Sequence, residues 1–251
     1  MKLEGKKAIV TGANRSIGKA IALLFAKEGA ELAISYRSDA KGAEEVVSCI
    51  EKAGGKASAF YADFSTQEGV KQFYTECIHV LGHVDILVNN AGGYNTLGFF
   101  ELTPHDFEQL LQVTLMTPFF LSQLVAKGMV QKQTRGNIIN ISSISGARPT
   151  MNRVAHASGK AALNMLTQTM ALELAKYGIR VNAIAPGYTP YEESSEFDPA
   201  IKDIPLGRAG LPYDQASTAL FLATEESSWM TGQILTVDGG HSIALSLAKD
   251  T

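Results

Sequence analysis

Cysteine and tryptophan are the scarcest side chains, with two cysteines and one tryptophan in 251 residues. Cys49 and Cys77 fall in amphipathic, helix-patterned stretches and lack metal-ligand spacing. Two reduced thiols are therefore expected, not a disulfide framework or a cysteine metal site. Neither sign of charge dominates: 22 Lys and Arg against 25 Asp and Glu leave a formal net charge of −3. This gives no footprint for nucleic acid and no basic face for a membrane. No apolar run approaches membrane-spanning length. The opening MKLEGKKAIVTG has no apolar signal core and runs straight into a strand pattern. A cytoplasmic protein with no nucleic-acid or membrane partner is the expectation. Linkers, repeats and low-complexity tracts are also missing, so one domain over residues 1–251 is expected.

What the chain does have is short apolar runs alternating with amphipathic segments. KKAIVTG (residues 6–12), ELAISY (31–36), ASAFYAD (57–63), DILVNNAG (85–92), GNIINIS (136–142), IRVNAIAPG (179–187) and QILTVDGG (233–240) read as strands. Helical patterns fill residues 17–28, 41–52, 67–80, 104–131, 153–177 and 212–223. In the first, Ile21, Leu24 and Phe25 are spaced for one face. Strands separated by helices of this length predict an α/β, doubly wound, mostly parallel seven-stranded sheet with helices on both faces. The break is PGYTPYEESSEFDPAIKDIP (186–205), rich in Pro, Ser and acid and too polar for core. A long loop of this kind suits a lid over a binding site.

TGANRSIGKA (11–20) ends a strand in a glycine-rich turn that opens a helix. Glycine there lets backbone approach a phosphate, and the helix N-terminus supplies N–H groups and a favourable dipole. NNAG follows the fourth strand, Ser142-Ser143 the fifth and Ala185-Pro186-Gly187 the sixth, and a helix carries HASGK (156–160). Together, in this order, these motifs resemble the short-chain dehydrogenase/reductase family across essentially the whole chain. The layout is most similar to the 3-oxoacyl-acyl-carrier-protein reductases and the bacterial glucose dehydrogenases.

The resemblance implies a Rossmann-type fold and an enzyme that moves hydride between a nicotinamide and a small-molecule carbonyl or alcohol, such as a 3-oxoacyl thioester, a sugar or another small ketone. The family turn TGxxxGIG falls on Gly12, Asn14, Arg15, Ser16, Ile17 and Gly18, with Ser16 in place of a glycine. An acid that would hold an NAD ribose is missing at Tyr36; Arg37, Ser38 and Arg15 offer donors for a 2′-phosphate. NADP(H) is therefore the expected cofactor, with NAD(H) possible, although two solvated surface arginines remain the plainer account of Arg15 and Arg37. Asp63-Phe64 matches the adenine-contacting pair, and Asn90, Ala91 and Gly92 the segment beside the adenosine ribose. Lys160, Pro186, Gly187 and Thr189 complete the implied cofactor set.

The family's catalytic positions are Asn, Ser, Tyr and Lys. Serine falls on Ser143, which would polarise the substrate oxygen, and lysine on Lys160. The tyrosine position holds His156 and the asparagine position Thr114. Tyr94, Tyr188 and Tyr191 would face substrate with Ser143. Imidazole has a suitable unperturbed pKa, about 6.5. A nearby Lys160 ammonium disfavours its charged form. Two readings stay open: His156 transfers the proton, directly or through water, or it fills the hole a tyrosine would occupy. The second implies a catalytically impaired nucleotide-binding subunit. No metal is expected: His79, His83, His105 and His241 lack ligand spacing. Glu192, Glu193, Glu196 and Asp198 read as a solvated face or as a selector of polar or cationic substrates. The family commonly pairs its long helices, and apolar content here (Val113, Leu115, Phe119, Phe120 and Leu121, then Leu163, Met165, Leu166 and Met170) predicts a homotetramer.

Overall fold

The computed structural model describes residues 1–93, 95–190 and 199–244. Seven strands form one parallel sheet: β1 (Lys7–Val10), β2 (Glu31–Tyr36), β3 (Lys56–Tyr61), β4 (Ile86–Asn89), β5 (Asn137–Ile141), β6 (Arg180–Pro186) and β7 (Ile234–Val237). Their order is β3-β2-β1-β4-β5-β6-β7. The chain winds outward from β1 in one direction and from β4 in the other. Ligands of such sheets bind at this reversal, beyond the carboxyl ends of the strands.

Helices cover both faces: α1 (Ser16–Lys27), α2 (Ala40–Lys52), α3 (Gln67–Leu81), α4 (Pro104–Leu111), α5 (Thr117–Gln131), α6 (Val154–Leu174) and α7 (Pro212–Ala223). Strand residues alternate between two cores. Val10, Ile34 and Val88 pack with Phe25 of α1 and Leu222 of α7. Ile9, Ala33 and Leu87 pack with Phe73 of α3 and Leu121 and Val125 of α5. Burial on both faces is why the strands read as continuous apolar runs.

Local chemistry sets the element ends. Asp39 and Thr66 accept the Gly42 and Gly69 backbone N–H groups and so cap α2 and α3. Thr103 and Asp106 cap each other's backbone at the start of α4.

Four expectations need correction. The stretch 104–131 is not uniform α-helix, because a π turn (Gln112–Met116) separates α4 from α5. Pro118 has no N–H for the Thr114 carbonyl four residues earlier, and the ladder widens. Thr117 fixes this turn by donating its hydroxyl to the Gln112 and Phe64 carbonyls, both at 3.0 Å. The same 28 residues, 104–131, are long and apolar enough to cross a membrane by composition alone, which no single apolar run revealed. Leu121, Val125 and Met129 bury that face against the sheet. The lid stretch is not wholly too polar for core either: Ile204 is 4% exposed and packs near Gly239. The end of the stretch at 153–177 also differs, with α6 tightening into a 3₁₀ turn over Ala175–Tyr177.

Candidate active site

A cleft of about 790 Å³ lies along the carboxyl ends of the strands. At one end, β1 runs into the glycine-rich turn. Gly12 adopts φ +63°, and a Cβ there would come within 3.1 Å of Ala91 Cα. A Cβ on Gly18 would overlap the Gly12 carbonyl oxygen and sit 2.9 Å from Ala13 Cα. Both positions therefore need glycine, which leaves an open backbone cradle at the N-terminus of α1. Ser16 occupies the left-handed region at φ +48°, where the family carries glycine. The Asn90 amide donates to the Thr11 and Gly12 carbonyls, both at 2.9 Å. The Thr11 hydroxyl accepts the Asn90 and Ala91 backbone N–H groups. Asn90 thus braces the turn with its side chain. The cradle fits a dinucleotide pyrophosphate.

Arg15, Arg37 and Ser38 border the same end, and no Asp or Glu among the described residues lines the cleft. Asn14 donates its amide to Asp39 at 3.1 Å, joining the turn to α2. Asp63 accepts the Ser65 hydroxyl and backbone N–H, which holds its carboxyl below the usual range.

At the other end, Ser143 follows β5, and its hydroxyl oxygen accepts the Ser145 N–H at 3.1 Å. His156 and Lys160 lie one turn apart on one face of α6. Lys160 is 6% exposed and donates from Nζ to the Ile141 carbonyl at 2.6 Å. Burial pushes its pKa down to about 8. His156 Nδ1 lies 3.1 Å from the Gly93 carbonyl oxygen. Burial, then the Lys160 ammonium, push the imidazole down to about 4; the Gly93 bond opposes this, and Arg153 adds to it. Thr114 is buried in the π turn, and its hydroxyl finds no partner in the structure. Its methyl faces Gly159, where a Cβ would come within 3.1 Å.

The cleft gathers the turn (Gly12, Asn14, Arg15, Ser16, Ile17 and Gly18) with Arg37, Ser38, Phe64, Asn90, Ala91 and Gly92. It also gathers Ser143, His156, Lys160, Pro186, Gly187, Tyr188 and Thr189. Asp63 and Thr114 do not reach its wall; their neighbours Phe64, Ser65 and Val113 do. Tyr94, Tyr191 and the acids Glu192, Glu193, Glu196 and Asp198 lie outside the described residues. Sequence reasoning missed several wall residues, Arg153, Gly93 and His241 among them. Arg153 stands three residues before His156, a spacing that shares a helix face. Gly93 follows NNAG directly, but a carbonyl role leaves no mark in a sequence. His241 follows the seventh strand, and the rule for carboxyl-end ligands would have found it. Among the described residues, no group of three or more His, Cys, Asp or Glu could hold a metal ion. His83 instead meets Asp85 at 3.3 Å.

A family model described as Enoyl-(Acyl carrier protein) reductase matches residues 12–242. The chain is 37% identical to glucose 1-dehydrogenase 2 of Bacillus subtilis (strain 168), with 96% of each protein covered. It is 40% identical to 7alpha-hydroxysteroid dehydrogenase of Escherichia coli (strain K12), over 96% of this chain and 95% of that one. A solved 7α-hydroxysteroid dehydrogenase, complexed with NADH and 7-oxo glycochenodeoxycholic acid, matches with a TM-score of 0.89 at 38% identity over 95% of both chains. With a matched model over nearly its full length, relatives covered almost end to end and a solved neighbour of like fold, the chain belongs to the short-chain dehydrogenase/reductase family of oxidoreductases.

Proposed function

We propose that this protein is an NADP(H)-dependent oxidoreductase acting on a small carbonyl or secondary alcohol, with His156 as its proton-transfer group. The observation that carries the reading is a single cleft joining a glycine cradle to Ser143, His156 and Lys160. The nicotinamide, when bound, supplies or takes up hydride at C4. The turn from Gly12 to Gly18 would hold the pyrophosphate on backbone N–H groups. Arg15 and Arg37 would take the 2′-phosphate, supported by the lack of a described carboxylate on the cleft wall. NAD(H) remains the second cofactor, since a relative is known with NADH. Lys160 would hold the nicotinamide ribose. Ser143 would donate to the substrate oxygen.

The relatives' names span a sugar and steroids. A sugar, a 3-oxoacyl thioester or another small ketone is therefore the substrate class, with Tyr94, Tyr188 and Tyr191 shaping its pocket and residues 186–205 acting as a lid. One domain, cytoplasmic and homotetrameric, completes the proposal.

A second reading has its own observation. The Thr114 hydroxyl is buried and unpaired, and a neutral His156 is a weak acid, as expected of a cofactor-binding subunit with impaired chemistry. Fluorescence titration with NADPH and NADH, followed by a panel of ketones, 3-oxoacyl thioesters, sugars and secondary alcohols, separates the two. Binding with turnover supports the enzyme. Binding without turnover on any substrate supports the subunit.

A further inference from the structure

We infer that Gly159 is a positioning residue: its missing side chain lets the π turn seat Thr114 against α6, and this matched pair fixes where Lys160 stands in the cleft. The inference rests on the proposed place of Lys160 at the nicotinamide ribose and adds the two residues that set it.

Glycine is a poor choice at this point of the chain. Gly159 lies inside α6, and its backbone has no positive φ that would call for glycine. In a helix interior only proline is less favourable. The bare Cα must therefore serve the packing. The position is buried, and a Cβ there would come within 3.1 Å of Thr114 Cγ2, 3.2 Å of Leu111 Cδ2 and 3.4 Å of Thr114 Cβ. Leu111 is half-buried, and the end of its side chain can turn away. Thr114 has no such freedom: it is buried in the π turn and branched at Cβ. Its methyl fills the space in which an alanine side chain would stand.

Gly159 immediately precedes Lys160 in α6. The helix also has little room to retreat there, because Gly146, in the loop after β5, packs on its backbone. A Cβ on Gly146 would lie 2.9 Å from both the carbonyl carbon and the carbonyl oxygen of Lys160. The Ser142 hydroxyl donates to Asn164 Oδ1 at 2.6 Å, and the Asn164 amide donates to the Gly146 carbonyl at 3.5 Å. Lys160 Nζ is itself tied to the Ile141 carbonyl. Two glycines thus bring the π turn and the β5 loop onto the helix at Lys160. A methyl added at Gly159 forces its neighbours to give by a few tenths of an ångström. That motion reaches Lys160 and, through Gly146, the loop that carries Ser143. Binding groups placed for a reaction are sensitive to small displacements of this kind.

A double-mutant cycle reads the pair. Gly159→Ala is made in the natural protein and in a Thr114→Ser background, which keeps the hydroxyl and deletes the methyl. Fluorescence titration with NADPH and NADH reads the site, and thermal melts read the packing. In the natural protein, Gly159→Ala should weaken the tighter-binding cofactor about three- to tenfold and leave Tm level or lower, although alanine is the better helix former. In the Thr114→Ser background the same change should cost less than about twofold in affinity and raise Tm by about 2–4 °C. A glycine with only a structural role would move Tm and leave affinity alone, so natural affinity in Gly159→Ala overturns the positioning role. Equal effects in both backgrounds, failure to fold in both included, overturn the matched pair. Failure to fold in the natural background alone, relieved by Thr114→Ser, supports it. If neither cofactor binds the natural protein, the proposed cofactor role fails, and the melts still decide the pair.

Discussion

Lys160 carries its charge where burial makes charge costly. Its pKa falls from 10.5 to about 8, so the native state disfavours the ammonium at neutral pH. Between about pH 8 and 10.5 the unfolded chain still holds this proton while the native chain has released it, so native stability gains as pH rises through that window. Lys160→Met, which leaves the Ile141 carbonyl without its donor, should still raise stability at pH 7 by about 1–2 kcal/mol, or roughly 2–8 °C in Tm. The gain should shrink as pH climbs past about 8, and turnover should be lost. A lower Tm at pH 7 in thermal melts would show that the hydrogen bond outweighs the burial penalty. Arg37 has a different task. Arg37→Ala should weaken NADPH by roughly ten- to a hundredfold, the worth of one charge-assisted contact, and leave NADH nearly unchanged. Equal losses for both cofactors in fluorescence titration would reduce Arg37 to a surface residue. At this scale the sequence spoke unevenly. Ser143, His156 and Lys160 were legible because the family resemblance maps onto them. The Gly93 carbonyl and the solitary burial of Thr114 were not, since each depends on which backbone lies opposite.

The turn into α1 shows how much of an element can be read in advance. The strand, the glycines and the helix start were all visible in TGANRSIGKA. The left-handed backbone at Ser16 was visible only as a departure from a glycine. A non-glycine residue there costs about 1–2 kcal/mol. Ser16→Gly removes that cost but loosens the unfolded chain, so a net gain of up to about 1 kcal/mol is expected. Gly18→Ala should do the reverse, because its methyl meets the Gly12 carbonyl; cofactor binding should be lost well before the fold is. Denaturant melts and cofactor titration of the pair check this, and a Gly18→Ala protein that binds cofactor normally would remove the cradle from the account. Periodicity placed β2 (Glu31–Tyr36) and α7 (Pro212–Ala223) with their observed bounds, because one is a continuous buried run with half-buried ends and the other opens at a proline and buries one face. The π turn escaped it. A widened ladder changes the face that side chains present without changing their apolar pattern.

For the whole molecule, strand and helix count came from the alternation, but strand order did not. Apolar runs buried on both faces look alike wherever they sit in a sheet. The reversal between β1 and β4, which places the cleft, entered the sequence reading only through family resemblance. Surface chemistry adds a further expectation. Met165 and Leu172 on α6 are 63% and 81% exposed, and Trp229 is 99% exposed. Large apolar side chains left to solvent favour self-association. Light scattering at micromolar concentration should give the mass of a tetramer; a mass near 26.9 kDa would leave these side chains without a role in assembly.

The central claim is that one imidazole has taken over proton transfer in this cleft. The most direct measurement is the rate of cofactor reduction with a true alcohol substrate, compared between the natural protein and His156→Ala, with cofactor affinity measured alongside. The account predicts a loss of roughly a hundredfold or more in kcat with cofactor affinity nearly unchanged. An alanine variant that keeps the natural rate would contradict it, leaving His156 as a filler and the proton to water.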